Sequence, residues 1–138
     1  MKILLGDPRH DTVGTHSSYV PINIGYIATY LTKKIPETKF DIKIVTETSE
    51  IFDLIINWKP EVMALSNYVW NSTLSNRMCE IAKQHNPNIL TILGGPEFPA
   101  GTGNRKIEDT EKDKTHTKCF GYLKERPSVD YFAYSDGE

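Results

Sequence analysis

The 138-residue chain has two cysteines, Cys79 and Cys119, too few for a disulfide framework, so a reducing cytoplasm is the expected setting. No apolar run approaches the ~20 residues that a helix needs to cross a bilayer. The opening Met1-Lys2-Ile3-Leu4-Leu5 breaks at once into Gly6-Asp7-Pro8-Arg9, which leaves no room for the apolar core of a signal peptide. Neither sign of charge is in large excess: 16 basic and 18 acidic residues give a net charge of −2. That balance supplies no electrostatic pull toward nucleic acid or an anionic membrane. Phosphate-cradling loops are missing too, since Gly6-Asp7-Pro8 fits neither GxGxxG nor GxxxxGK[ST]. The four histidines and two cysteines show no zinc-like paired spacing.

What is present is an alternation of strand and helix signals. Lys2 to Leu5 reads as a short apolar strand, followed by a polar, non-periodic loop over Arg9 to Val20. Pro21 then suits the first turn of a helix whose Ile22, Tyr26, Ile27, Tyr30 and Leu31 fall at helical spacing. Phe40 to Val45 alternates apolar and polar, as a strand with one face in water or at a sheet edge does. Ser49 can cap a second helix bearing Ile51, Leu54, Ile55 and Trp58, stopped by Lys59-Pro60. Val62 to Leu65 is a third, buried strand. Asn71 or Ser72 caps a third helix with Leu74, Met78, Ile81, Ala82 and His85 on one face, and Cys79 beside that face reads as packing.

A fourth strand lies in Asn88 to Leu93 and ends abruptly at Gly94-Gly95-Pro96-Glu97. As a continuous apolar run it reads as buried on both faces. Residues of about 102–118 are charged and threonine-rich without apolar periodicity, and read as an exposed insertion. A short helix around Phe120 to Lys124 and a fifth strand over Val129 to Tyr134 follow. The whole is a single α/β domain over residues 1–138: a flavodoxin-like, doubly wound, five-stranded parallel sheet in the order 2-1-3-4-5.

Parallel sheets bind ligands outside the carboxyl ends of their strands. That rim collects the Asp7–Val20, Ser66–Asn71, Gly94–Phe98 and Ser135–Glu138 loops, which hold nearly all the unusual residues. The glycine pair lets a ligand lie against bare backbone, or makes a tight turn with no ligand at all. The sequence speaks against a phospho-receiver site, because the third strand ends in Ser66 or Asn67 where an aspartate must accept phosphate. Thr12, Thr15, Ser17 and Ser18 give weak support to a flavin-phosphate loop, and Asp7 with His10 offers an acid–base pair that lacks a substrate-positioning group.

Five segments in order resemble the N-terminal cobalamin-binding domain of cobalamin-dependent radical S-adenosylmethionine enzymes. They are the Met1–Leu5 start, Pro21-Ile22-x-Ile24-Gly25-Tyr26-Ile27-Ala28, Lys59-Pro60-Glu61-Val62, Leu93-Gly94-Gly95-Pro96-Glu97-Phe98-Pro99, and the closing Val129 to Glu138. The resemblance implies cobalamin as cofactor, held by Ser66, Asn67 and Tyr68 after strand three and by Gly94, Gly95, Pro96 and Glu97 after strand four. It extends the site to Gly14 and Thr15 in the first loop and to Gly137 and Glu138 at the end. Ser66 can hydrogen-bond the nucleotide base, and backbone amides can hold the phosphate.

The family's DxHxxG loop, whose histidine ligates cobalt, is matched with both gaps one residue too long: Asp7-Pro8-Arg9-His10-Asp11-Thr12-Val13-Gly14. His10 or His16 is the candidate cobalt ligand, against the plainer reading of two exposed loop histidines. No CxxxCxxC motif is present, so the iron–sulfur chemistry of such an enzyme belongs to a radical domain supplied in cis or in trans. The chain is then a binding module without catalysis of its own. The alternative is a flavodoxin-like scaffold that binds no corrinoid and works through protein contacts, with Tyr68, Trp70, Tyr131 and Tyr134 as interface aromatics.

Overall fold

The structure is a computed structural model that describes residues 1–10, 20–97 and 120–133. Five parallel strands form one sheet: β1 (Lys2–Gly6), β2 (Asp41–Val45), β3 (Val62–Ser66), β4 (Leu90–Gly94) and β5 (Tyr131–Ala133). Their spatial order is β2-β1-β3-β4-β5, as the alternating pattern requires. The register aligns the strand ends that matter, pairing Gly6 with Val45 and with Leu65, Ser66 with Gly94, and Gly94 with Ala133.

Three helices connect these strands: α1 (Ile22–Lys34), α2 (Thr48–Asp53) and α3 (Ser72–His85), with a further helical turn at 120–124. Crossovers between parallel strands are right-handed, so the direction of each step decides which face its helix covers. Only β1→β2 steps toward the β2 edge, and α1 packs on one face with Ile3, Leu5 and Ile24. The remaining crossovers step the other way. Accordingly α2 and α3 cover the opposite face, where Leu4, Met63, Leu65 and Leu93 meet Ile51, Ile55, Met78 and Ala82 in the main core.

The sequence pattern errs on the first helix. Tyr26 is 72% exposed, and Ile22, Ile27 and Tyr30 also face outward, whereas Ile24 is 7% exposed and packs with Ala28 and Leu31. Both stripes obey helical spacing, so periodicity could not choose between them; the sheet selects the slimmer one. Strands β3 and β4 are likewise not buried on both faces. Thr91 and Leu93 are buried, while Ala64, Leu90 and Ile92 on the α1 side are half-exposed.

Other boundaries move slightly. The N-cap of α2 is Glu47 rather than Ser49, and the helix runs into a π-helical turn at Leu54–Trp58. That turn closes with Lys59 in the left-handed region at φ 54°, its N–H donating to Leu54 O at 3.0 Å. On α3, Ser75 and Cys79 are buried with Met78 and Ala82, while His85 stays exposed. Of the expected fifth strand, Tyr131–Ala133 form β5, while Val129 and Asp130 precede it. The expected insertion at about 102–118 and Tyr134 lie outside the described residues.

Candidate functional site

The rim begins where β1 leaves the sheet. A Cβ on Gly6 would stand 2.5 Å from Leu65 Cδ2 and 3.2 Å from Ile51 Cδ1, so a larger residue here would have to displace the tip of the Leu65 side chain. Asp7 follows, 6% exposed, with its N–H bonded to Val45 O at 2.9 Å. A buried carboxylate needs donors. Asp7 has them in the hydroxyl of Ser66 and the amide of Asn71, the latter at 3.4 Å.

Asn71 is the hub of this buried network. Its Nδ2 also donates to Ser66 Oγ at 2.9 Å and to Pro8 O at 3.2 Å, and its Oδ1 accepts from Tyr68 N–H at 2.8 Å. Ser75 Oγ donates to Ser66 O at 2.8 Å. The ends of β1 and β3 and the start of α3 are thereby locked together. Asn71 does sit at the N-cap of α3, but its side chain serves this network and makes no capping bond. The Ser66 hydroxyl is therefore already committed to Asp7, and is not a free donor for a base.

Asn67, fully buried, joins β3 to the loop after β4. Its N–H bonds Gly94 O at 2.7 Å, its O accepts from Glu97 N–H at 3.1 Å, and its Nδ2 donates to Glu97 O at 3.0 Å and Tyr122 OH at 3.1 Å. Its Oδ1 is buried without a hydrogen-bond partner among the described residues. Gly95, at φ +145°, lies directly against it: a Cβ there would fall 2.9 Å from the Asn67 carbonyl carbon. Gly95 thus has a packing reason independent of any ligand. Pro96 and Glu97 stand exposed beside it.

Tyr68 and Trp70 carry the outer surface of the rim. Their rings stack with centroids 4.5 Å apart and planes 7° from parallel, and Trp70 remains 57% exposed. Asn23 Nδ2 of α1 reaches Tyr68 OH at 3.3 Å. His10 Nε2 lies 2.5 Å from Trp70 O; a carbonyl can only accept, so Nε2 is the donor. Ligation of cobalt by His10 would go through Nδ1, or would break that contact. Among the described residues, no three His, Cys, Asp or Glu side chains cluster as a metal site.

Of the residues expected at the site, Ser66, Asn67, Tyr68, Gly94, Gly95, Pro96, Glu97 and His10 come together along one rim. Gly14, Thr15, His16, Gly137 and Glu138 lie outside the described residues. Sequence reasoning missed the hub role of Asn71 and the parts of Ser75 and Tyr122. An asparagine ahead of a helix reads as a cap, and nothing local says otherwise.

A family model of the B12-binding domain matches residues 12–111, most of the chain and the loops after β3 and β4. The chain belongs to the B12-binding domain family. Cobalamin is accordingly its cofactor. The domain is 30% identical over 95 residues to the cobalamin-dependent radical SAM methyltransferase TokK of Streptomyces tokunonensis, an alignment covering 69% of this chain and 11% of that protein. It is 28% identical over 79 residues to the 2-(S-pantetheinyl)-carbapenam-3-carboxylate methyltransferase of Streptantibioticus cattleyicolor, covering 57% of this chain and 9% of that one. The matched region is thus about a tenth of each curated relative. A crystal structure of a cobalamin-binding protein from Desulfitobacterium hafniense DCB-2 superposes with a TM-score of 0.52 at 12% identity, over 99% of this chain and 53% of that one. At that identity the likeness is one of fold.

Proposed function

We propose that this B12-binding domain holds cobalamin along the carboxyl-end rim. There it presents cobalt to a radical S-adenosylmethionine domain, in cis or in trans, for methyl transfer or rearrangement. The observation that carries this reading is the similarity to two methyltransferases, one of them named as cobalamin-dependent and radical SAM. Bound cobalamin supplies a cobalt centre able to carry a methyl group; the residues of this chain bind and orient it.

The rim fits such a ligand. Among the described residues the buried Asn67 Oδ1 has no donor, and the cofactor's periphery is rich in amide N–H groups. The stacked Tyr68 and Trp70 rings offer a flat apolar surface. Gly94, Gly95, Pro96 and Glu97 bring backbone close to the same place. Asp7, Ser66 and Asn71 act beneath this surface, fixing the two loops rather than touching the ligand.

The test is a visible absorption spectrum of the domain mixed with hydroxocobalamin and desalted. Stoichiometric retained corrinoid is expected, and Trp70→Ala should weaken retention by about tenfold, the scale of one aromatic contact. His10→Ala should shift the bands if His10 ligates cobalt through Nδ1, and leave them in place if it does not. A colourless protein with intact circular dichroism would overturn binding by these residues.

A further inference from the structure

Asn67 lies fully buried at the carboxyl end of β3, between Ser66 and Tyr68. Its side-chain amide carries two N–H donors and an oxygen that accepts. The nitrogen serves two acceptors, Glu97 O at 3.0 Å and Tyr122 OH at 3.1 Å. The oxygen has no donor among the described residues. Glu97 O can only accept, so it decides which end of the amide faces it. Oδ1 is thereby kept on the other side, buried and unspent.

Tyr122 gives the amide its second anchor. It sits on the helical turn at 120–124, 55 positions away in sequence and half-buried. Three contacts hold it there. Phe132 of β5 meets its ring edge-on with centroids 5.7 Å apart, and the Arg126 guanidinium lies 3.7 Å over the ring centre. Arg126 Nη1 also donates to Tyr122 O at 3.1 Å. A phenylalanine would keep these contacts; only the hydroxyl reaches Asn67.

We propose that Tyr122 is a positioning residue for Asn67, holding its amide so that Oδ1 accepts an N–H of the bound corrinoid and selects side-chain amides over carboxylates. This rests on the reading that the rim holds cobalamin. An amide N–H turned toward Oδ1 completes the pairing of a buried carbonyl. A carboxylate in the same place sets a charged acceptor against a second acceptor, with no proton between them. The site therefore separates corrinoids of nearly one shape that differ in a single amide or acid. Asn67 touches the ligand, and Tyr122 acts through Asn67.

The test is equilibrium dialysis, read by visible absorption, of hydroxocobalamin against its monocarboxylate derivatives, each with one peripheral amide hydrolysed. At least one derivative should bind about tenfold more weakly than the parent. Tyr122→Phe should narrow that gap to about threefold, and Asn67→Leu, which has no acceptor, should close it. Circular dichroism checks that both variants fold; if Asn67→Leu does not, Tyr122→Phe decides. A merely structural role would weaken both corrinoids in proportion and leave the gap unchanged. An unchanged gap in folded Tyr122→Phe, or no gap in the wild-type chain, would overturn this inference while cobalamin binding stands. A wild-type chain that takes up neither corrinoid would overturn both.

Discussion

Gly95 and Asn67 illustrate how one residue type answers two demands. In the sequence, a glycine pair after a strand is compatible with a ligand against bare backbone or with a plain turn. The structure supplies a cause that is neither alone: Gly95 sits at φ +145°, with the Asn67 backbone where its Cβ would be. Gly95→Ala therefore strains the backbone and forces the β4 loop off β3. A loss of roughly 1–3 kcal/mol in urea unfolding is expected. An unchanged midpoint would refute this account of the glycine. Asp7 and Asn71 make the complementary point. Their residue types were visible in the sequence, but their partners lie 59 and 64 positions apart, a pairing no local pattern encodes.

At the scale of elements, α1 carries two helically spaced stripes, and burial goes to Ile24, Ala28 and Leu31. Helical period reports that a helix is amphipathic; which side packs depends on the volume available above β1 and β2. The pairing of β4 with the short β5 rests on a polar clamp. Asp130 Oδ2 accepts from Lys83 Nζ at 2.7 Å, Thr91 N–H at 2.8 Å and Thr91 Oγ1 at 3.0 Å. Burial by itself would raise the Asp130 pKa, but the hydrogen bonds from Lys83 and Thr91, with the Lys83 charge, outweigh it and hold the carboxyl below its usual range. A carboxyl depressed on folding stabilises the native state above its unfolded pKa of about 4 and loses that contribution as pH falls through the folded value. The chain should therefore lose stability on acidification below about pH 4. Asp130→Asn should be less stable at neutral pH and show a smaller acid loss, read from urea midpoints at both pH values. An identical acid loss in the variant would assign it to other groups.

For the molecule as a whole, the α2–α3 face is the continuous core and holds Cys79 at its centre. Burial foremost, with the nearby Asp130 charge adding to it, pushes the Cys79 thiol up to about 12, so no thiolate is available at neutral pH. In a Cys119→Ser chain, a thiol reagent at pH 8 should find Cys79 unreactive until the domain unfolds. Its labelling rate should then track global stability across a urea series. Fast labelling without denaturant would show that the core opens locally.

Sequence by itself determined the element order, the parallel five-stranded sheet, its strand order and which loops share the carboxyl-end rim. These follow from short-range signals: apolar period, breakers at strand ends, and the right-handedness of every crossover. The family resemblance was legible as well, because loop motifs are short and contiguous. Only the tertiary structure decided which stripe of α1 is buried, why Gly95 must be glycine, and that Ser66 is spent on Asp7. Each of these depends on which atoms meet across the fold, and a linear pattern carries no record of what stands opposite a side chain once the chain has closed.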